Sequence, residues 1–431
     1  MTESRCATSS AGRRKPVVLV LLSHYLPGYK AGGPIRSIAN IVEALGDELD
    51  FRVVTSDRDI GGDTPFTQIA PCRWIPVGKA QVFYVPDASW ALFTLLRTLI
   101  DTPADLLYLN SFFARRFSMF VLFLRKLGIL RPKSILLAPR GEFSMGALHI
   151  KPWRKRVYIS VARHFKLYAN ILWHASSQYE ENDIHTAFCS GESIAVAGPI
   201  APRTKDAGQR LRIMTALDMP GAGGIKPEPD THRKPAGVIR LVFLSRISRK
   251  KNLDGAISML PGLSGRVAFD IYGPIEDPGY WKVCQGLIAQ LSPNVKVQYR
   301  GEAHHDAVHR ILSAYDVLFF PTHGENYGHV IREALSAGCP VLVSDQTPWR
   351  GLELSGVGWD ISLEHGPRFR RVIQECIDMT PEAFAKWSER AYDYGFKLAQ
   401  DPEIIGQNRR LFARALGSEN LRPLVAEGEV L

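Results

Sequence analysis

The chain has 431 residues, 45% of them apolar and 22% charged, with a formal net charge of +10. That length exceeds one comfortable core and fits two domains of about 200 residues, and the balance is that of a globular protein, not a disordered or fibrous one. Six scattered cysteines (Cys6, Cys72, Cys189, Cys284, Cys339, Cys376) form no CxxC or Cys/His cluster. They argue against a disulfide framework or a zinc site, and no uncharged apolar run of about eighteen residues predicts a membrane span.

In chain order, the basic tail 1–15 precedes residues 17–23, which read as a first buried strand. That apolar run is too short for a span and lacks a small-residue cleavage site, so it is not read as a signal peptide. Pro34 suits the first turn of a helix, and Ile35, Ile38, Ile41, Val42 and Leu45 give that helix an apolar face. Gly32-Gly33 therefore lies between a strand and a helix start, where backbone can approach an anion closely, or simply turns. Strand signals at 51–56, 82–85, 106–109, 135–138, 171–173 and 193–197 alternate with helical stretches at 91–100, 117–126, 151–168 and 178–187. The pattern predicts a doubly wound α/β domain over 16–200.

Charge is concentrated in this half. Between Phe112 and His174 stand thirteen lysines and arginines and one acid, Glu142, a local surplus of +12. Such a field draws anionic lipid or a phosphorylated acceptor, and no nucleic-acid reader motif accompanies it. The helix 151–168 carries much of this charge. It reads either as a core-facing helix with a solvated face or as a surface for an anionic membrane. Two strand ends invite chemistry: Asn110-Ser111, neither of which is a base unaided, and Pro139-Arg140-Gly141-Glu142. Arg140 and Glu142 read as a structural ion pair or as grips on an acceptor.

Residues 201–237 are rich in proline and glycine and read as a linker between domains. The second domain, 238–398, opens with a strand at 238–244 and the basic turn Ser245–Asn252. There Arg246 and Lys251 offer one forked and one point-like cation for a diphosphate, while Arg249 and Lys250 read as surface charges. Five histidines between His304 and His329 lack the carboxylate that would complete a metal set.

The most informative stretch is 316–345, predicted as strand, loop, helix and strand. Glu325 lies in the loop and Glu333 two turns into the helix. The amides of Asn326, Tyr327 and Gly328 at the helix start favour an anionic phosphate, whereas carboxylates beside a phosphate seek hydroxyls. The combination suits a sugar nucleotide.

The run Gly-Glu-Asn-Tyr-Gly-His-Val-Ile-Arg-Glu-Ala-Leu-Ser-Ala-Gly-Cys-Pro-Val at 324–341 resembles the Glu-x7-Glu signature of retaining family-4 glycosyltransferases (glycosyl transferases group 1). The resemblance implies a GT-B fold, two Rossmann-like domains facing across a cleft, with a last helix (403–416) packing back on the first domain. It implies that Glu325 contacts the donor sugar, Glu333 the ribose hydroxyls, and Asn326–Gly328 the diphosphate. Arg246 and Lys251 match the family's Arg-x4-Lys element, which stabilises the diphosphate as it leaves, and Gly32-Gly33 its glycine pair near the distal phosphate. Gly273-Pro274 and Arg300-Gly301 would border the base. Asn110 stands where many members carry a histidine, so a histidine-assisted step is not expected. The Pro-Arg-Gly phrase is similar to that of polysaccharide-assembly enzymes, which puts Asn110, Arg140 and Glu142 on the acceptor side. The expected reaction is metal-independent transfer, without a cofactor, from a nucleotide diphosphate sugar to a lipid-linked saccharide at the cytoplasmic membrane face, in exopolysaccharide, capsule or lipopolysaccharide assembly. An epimerase or phosphorylase on the same fold, or a non-catalytic saccharide- or lipid-binding subunit, remains open at this stage.

Overall fold

The computed structural model describes residues 14–148, 152–189, 211–221 and 234–417. In the first domain the strands are β1 (Val17–Leu21), β2 (Asp50–Ser56), β3 (Trp74–Val77), β4 (Ala80–Val85), β5 (Leu106–Asn110), β6 (Ile135–Ala138), β7 (Leu172–Ala175) and β8 (Arg212–Thr215). They form one sheet in the order β3-β4-β2-β1-β5-β6-β7-β8, parallel except for the β3–β4 edge pair. The helices are α1 (Gly33–Leu45), α2 (Ala91–Asp101), α3 (Phe120–Lys126), α4 (Met145–Leu148), α5 (Pro152–His164) and α6 (Gln178–Cys189). Because side chains alternate along a strand, β1 sends Val18 and Val20 into the core beneath α1, and Leu19 and Leu21 into the opposite core beneath α2, α3, α5 and α6. Strands buried on both faces need the near-continuous apolar runs that made them legible.

The second domain has an all-parallel sheet in the order β11-β10-β9-β12-β13-β14. Its elements are β9 (Val238–Leu244), α7 (Leu253–Ser258), β10 (Arg266–Tyr272), α8 (Pro278–Ile288), β11 (Val295–Gly301), α9 (His305–Leu312), β12 (Val317–Phe320), α10 (His329–Ser336), β13 (Val341–Ser344), β14 (Gly358–Ile361), α11 (Gly366–Asp378) and α12 (Pro381–Ala399). A final helix, α13 (Pro402–Leu416), lies on the first domain. Arg409 pairs with Glu48 at 2.7 Å, Asn408 donates to the Leu217 carbonyl at 2.9 Å, and the Phe412 ring meets those of Phe51 and Tyr108 edge-on.

Two sequence readings change. The segment read as a linker carries β8, which pairs in parallel with β7 and closes the first sheet, so the domain boundary falls after it. Its four residues are too short and too half-exposed to show a period against the surrounding prolines and glycines. The edge strand β3 has no counterpart among the sequence readings; Pro76 interrupts it, which an edge position tolerates. The stretch read as a helix from residue 117 opens with a π-helical turn at Arg115–Met119, and the strand expected at 193–197 lies outside the described residues. Among the described residues no helix is long and apolar enough to cross a membrane.

Candidate active site

The C-terminal ends of β1 and β9 and the N-termini of α1 and α10 converge on a cavity of about 290 Å3 between the two domains. This is where open parallel sheets gather ligands. The first domain supplies the stretch from Tyr29 to Ser37, including Gly32 and Gly33, together with Arg140 and Asp218. Facing them are Ser245, Arg246, Lys250 and Lys251, the Gly273-Pro274 turn, and the loop from Glu325 to Val330. The two helix starts stand opposite each other: a Cβ on Gly33 would lie 3.5 Å from the His329 ring.

Glu325 and Lys251 form a buried ion pair, and the Lys251 Nζ also lies 5.6 Å from the centre of the Phe320 ring. Burial pushes the Glu325 carboxyl up, but Lys251, Lys250 and Arg246 together outweigh it and hold the group below its ordinary range. Glu325 is therefore an anion, able to accept hydroxyl hydrogen bonds. Arg246 stands at the half-exposed rim, 3.1 Å from Glu276. Lys250, read from the sequence as a surface charge, lines the cavity instead. Burial, with Lys251 and Arg246 nearby, brings its ammonium down to about 8, and it forms no ion pair among the described residues. Its neighbour Arg249 is the exposed one, 3.9 Å from Asp277. The helical turn at Arg249–Lys251 separates the three cations, and spacing alone did not reveal which would face inward.

At the start of α10 no side chain caps the helix, and the amides of Asn326, Tyr327 and Gly328 donate to no group among the described residues. Gly328 holds φ at +81°, and a Cβ there would lie 2.9 Å from Ile331, so both conformation and space select glycine. The side chains beside it fix the loop. Trp349 Nε1 donates to the Tyr327 carbonyl at 2.5 Å, and Asn326 Nδ2 donates to Ser176 Oγ of the first domain at 2.6 Å. Asn326 also packs against Gly141, where a Cβ would come within 2.8 Å of it. These contacts engage the Asn326 side chain and the Tyr327 carbonyl and leave the three amides without a partner among the described residues.

Glu333 is 8% exposed and does not line the cavity; one carboxylate oxygen pairs with Arg36 of α1, across the domain boundary. Its other oxygen, Oε2, has no partner among the described residues. Arg36 does line the cavity, and burial, with Arg332 beside it, brings its guanidinium down to about 10. The carboxylate expected to meet ribose is thus half committed to the facing domain, with one acceptor oxygen free. Glu333→Ala is expected to weaken nucleotide binding roughly tenfold or more, the worth of a hydrogen bond to a charged group, while the protein stays folded. Calorimetric titration checks this, and unchanged affinity would remove Glu333 from the donor site.

The acceptor-side candidates separate. Arg140 does not pair with Glu142. Its buried guanidinium bonds Asp218 at 2.5 Å, the Tyr108 hydroxyl at 2.9 Å, and Asn110 Oδ1 at 3.0 and 3.1 Å. Glu142 points the other way, accepting from Ser111 Oγ at 2.6 Å and from the Phe112 and Phe113 amides at 2.5 and 3.0 Å, and burial raises its carboxyl. The two residues diverge at a turn in which Arg140 sits at φ +57° and the intervening Gly141 at φ +74°. Of the three, Arg140 lines the cavity, and Asn110 supports it. Asp218, from the stretch read as linker, was not legible; besides Arg140 it approaches His329 at 3.6 Å, which in turn lies 3.0 Å from Ser37 Oγ. Arg300 pairs with Asp270 at 2.8 Å and, unlike Gly273-Pro274, does not line the cavity. Among the described residues no group of three or more His, Cys, Asp or Glu is placed to hold a metal.

Residues 225–359 match the family of glycosyl transferases group 1. No curated protein sequence matches the chain. Among solved structures, HepE of Anabaena in complex with UDP and glucose is 16% identical, with TM-score 0.63 over 93% of this chain and 99% of that one. Sucrose-phosphate synthase from Thermosynechococcus elongatus is 14% identical, with TM-score 0.66 over 94% and 100%. WaaG, a glycosyltransferase involved in lipopolysaccharide biosynthesis, is 15% identical, with TM-score 0.60 over 93% and 100%. With two parallel-sheet domains enclosing the cavity, the chain has the GT-B fold of these structures, and its residues 225–359 match glycosyl transferases group 1.

Proposed function

We propose that this chain is a retaining glycosyltransferase that moves a sugar from a nucleotide diphosphate sugar to a saccharide acceptor. The observation that carries the reading is the cavity itself, where Arg246, Lys250, Lys251 and the uncapped start of α10 surround one carboxylate, Glu325. Cations and amides suit the diphosphate, and the anion suits sugar hydroxyls. In the reaction the bond from the anomeric carbon to the diphosphate oxygen breaks, and a bond from the same face of that carbon to the acceptor oxygen forms. The acceptor proton passes to the departing diphosphate, since Asn110 cannot take it and its amide oxygen is held by Arg140. Preorganised cations and amides stabilise the charge that develops on the leaving group. These charges make a metal unnecessary, and a chelator is expected to leave activity intact.

The surplus of positive charge in the first domain supports a lipid-linked acceptor at the anionic inner face of the cell membrane. The likeness to WaaG supports a place in polysaccharide or lipopolysaccharide assembly. HepE was solved with UDP-glucose, so UDP-sugars are the first donors to test. Thermal stabilisation by UDP-, GDP- and ADP-sugars identifies the donor, because a ligand of the native state raises its melting temperature. NMR of the product from labelled donor then tests the reaction. A glycoside that keeps the donor's anomeric configuration, formed only with acceptor present, supports the proposal. An epimerised donor formed without acceptor, or no product with any of the three donors, overturns it.

A further inference from the structure

The outer face of α5 carries Trp153, Val157 and Val161 at every fourth residue, and Phe165 continues the row just past its end. They are 65%, 54%, 42% and 54% exposed, whereas Ile159 and Ala162 are the residues buried beneath the helix. This reverses the usual arrangement, in which the apolar stripe of a helix faces the core. Helix α5 is apolar on both sides, and its outer stripe is left exposed among the described residues. Nor is it isolated. Eleven of the seventeen large apolar side chains exposed among the described residues lie on or beside α2, α3 and α5, including Phe93 and Phe123. These helices cover the same side of the first sheet, so their outer faces point the same way. A concentration of this kind marks an interaction surface, where scattered single residues would not.

The charge around the stripe selects the occupant. Arg154, Arg156 and Lys166 are exposed beside it, and no acidic residue occurs between Glu142, whose carboxylate is buried, and Glu180. A protein surface docking there would have to be both apolar and uniformly anionic. A bilayer with anionic headgroups over an acyl interior has that layering, and an apolar, basic helix lies flat in such an interface. We infer that the α5 stripe inserts into the interfacial layer of an anionic membrane, with its arginines on the lipid headgroups, and that α2 and α3 extend the same docking face. The inference rests on the transfer reading for its purpose, delivery of a lipid-linked acceptor to the cavity, but the docking can be measured without any transfer.

The experiment is flotation of the full chain with phosphatidylcholine vesicles, with and without phosphatidylglycerol. The wild-type protein is expected to float with the phosphatidylglycerol vesicles and to remain below with phosphatidylcholine alone. Trp153→Ser with Phe165→Ser, and separately Val157→Ser with Val161→Ser, should each lower partitioning, the first pair roughly tenfold or more. Arg154→Glu with Arg156→Glu should abolish the preference for phosphatidylglycerol. Circular dichroism verifies that each variant is folded. A wild-type protein that stays below with both vesicles, or serine variants that float as it does, overturns the proposal. Glu325→Gln should float normally, so loss of transfer and loss of docking are read separately.

Discussion

Lys250→Met is expected to lower kcat/KM for the nucleotide-sugar donor about a hundredfold, the typical loss when one preorganised group that stabilises developing negative charge is removed. Lys251 already faces a carboxylate, and Arg246 leans on Glu276 at the rim. Lys250 is the cavity cation without an ion pair among the described residues, so more of its charge is left for the diphosphate. Its ammonium lies at about 8 because burial and its two cationic neighbours disfavour the charged form. An arriving anion favours that form. Donor kcat/KM for the wild-type enzyme should therefore be level below pH 8 and fall as pH rises through it. In Lys250→Met that descending limb should vanish, and in Lys250→Arg it should move upward, because guanidinium keeps its proton. A limb that persists unchanged in Lys250→Met would assign it to another group and remove Lys250 from diphosphate binding.

Arg140→Met is expected to destabilise the protein by about 3–5 kcal/mol, read as a lower urea midpoint. The substitution leaves Asp218 as a buried carboxylate without its strongest partner, and Asn110 and Tyr108 lose their donor as well. Burial pushes the Asp218 carboxyl up, yet Arg140, with His329 and His174, holds it well below the ordinary range. A carboxyl depressed in the folded state contributes stability above its unfolded pKa of about 3.9 and loses it as pH falls. The gap between wild type and Arg140→Met should accordingly narrow in acid. Asp218→Asn added to Arg140→Met should restore part of the loss at neutral pH, since it removes the stranded charge. If the double variant is no more stable than Arg140→Met, Asp218 is not the cause.

Residue order makes the two doubly wound domains legible, because strands covered on both faces require unbroken apolar runs and the crossover helices show their own period. It also marked the glycine turn before α10, since a glycine at φ +81° between a strand and an apolar helix is a local property of the chain. It did not reveal β8, whose four residues are stabilised by pairing with β7, a partner distant in the chain. Tertiary structure alone decided which charges face the cavity. Of the three adjacent cations Arg249, Lys250 and Lys251, one turn of helix sends the first to solvent and the other two inward, a difference that side-chain type does not encode. It likewise parted Arg140 from Glu142, and it brought Arg36 to Glu333 and Asp218 to Arg140 across 297 and 78 residues of sequence. Each such pairing joins segments far apart in the chain, and no local sequence pattern records that proximity.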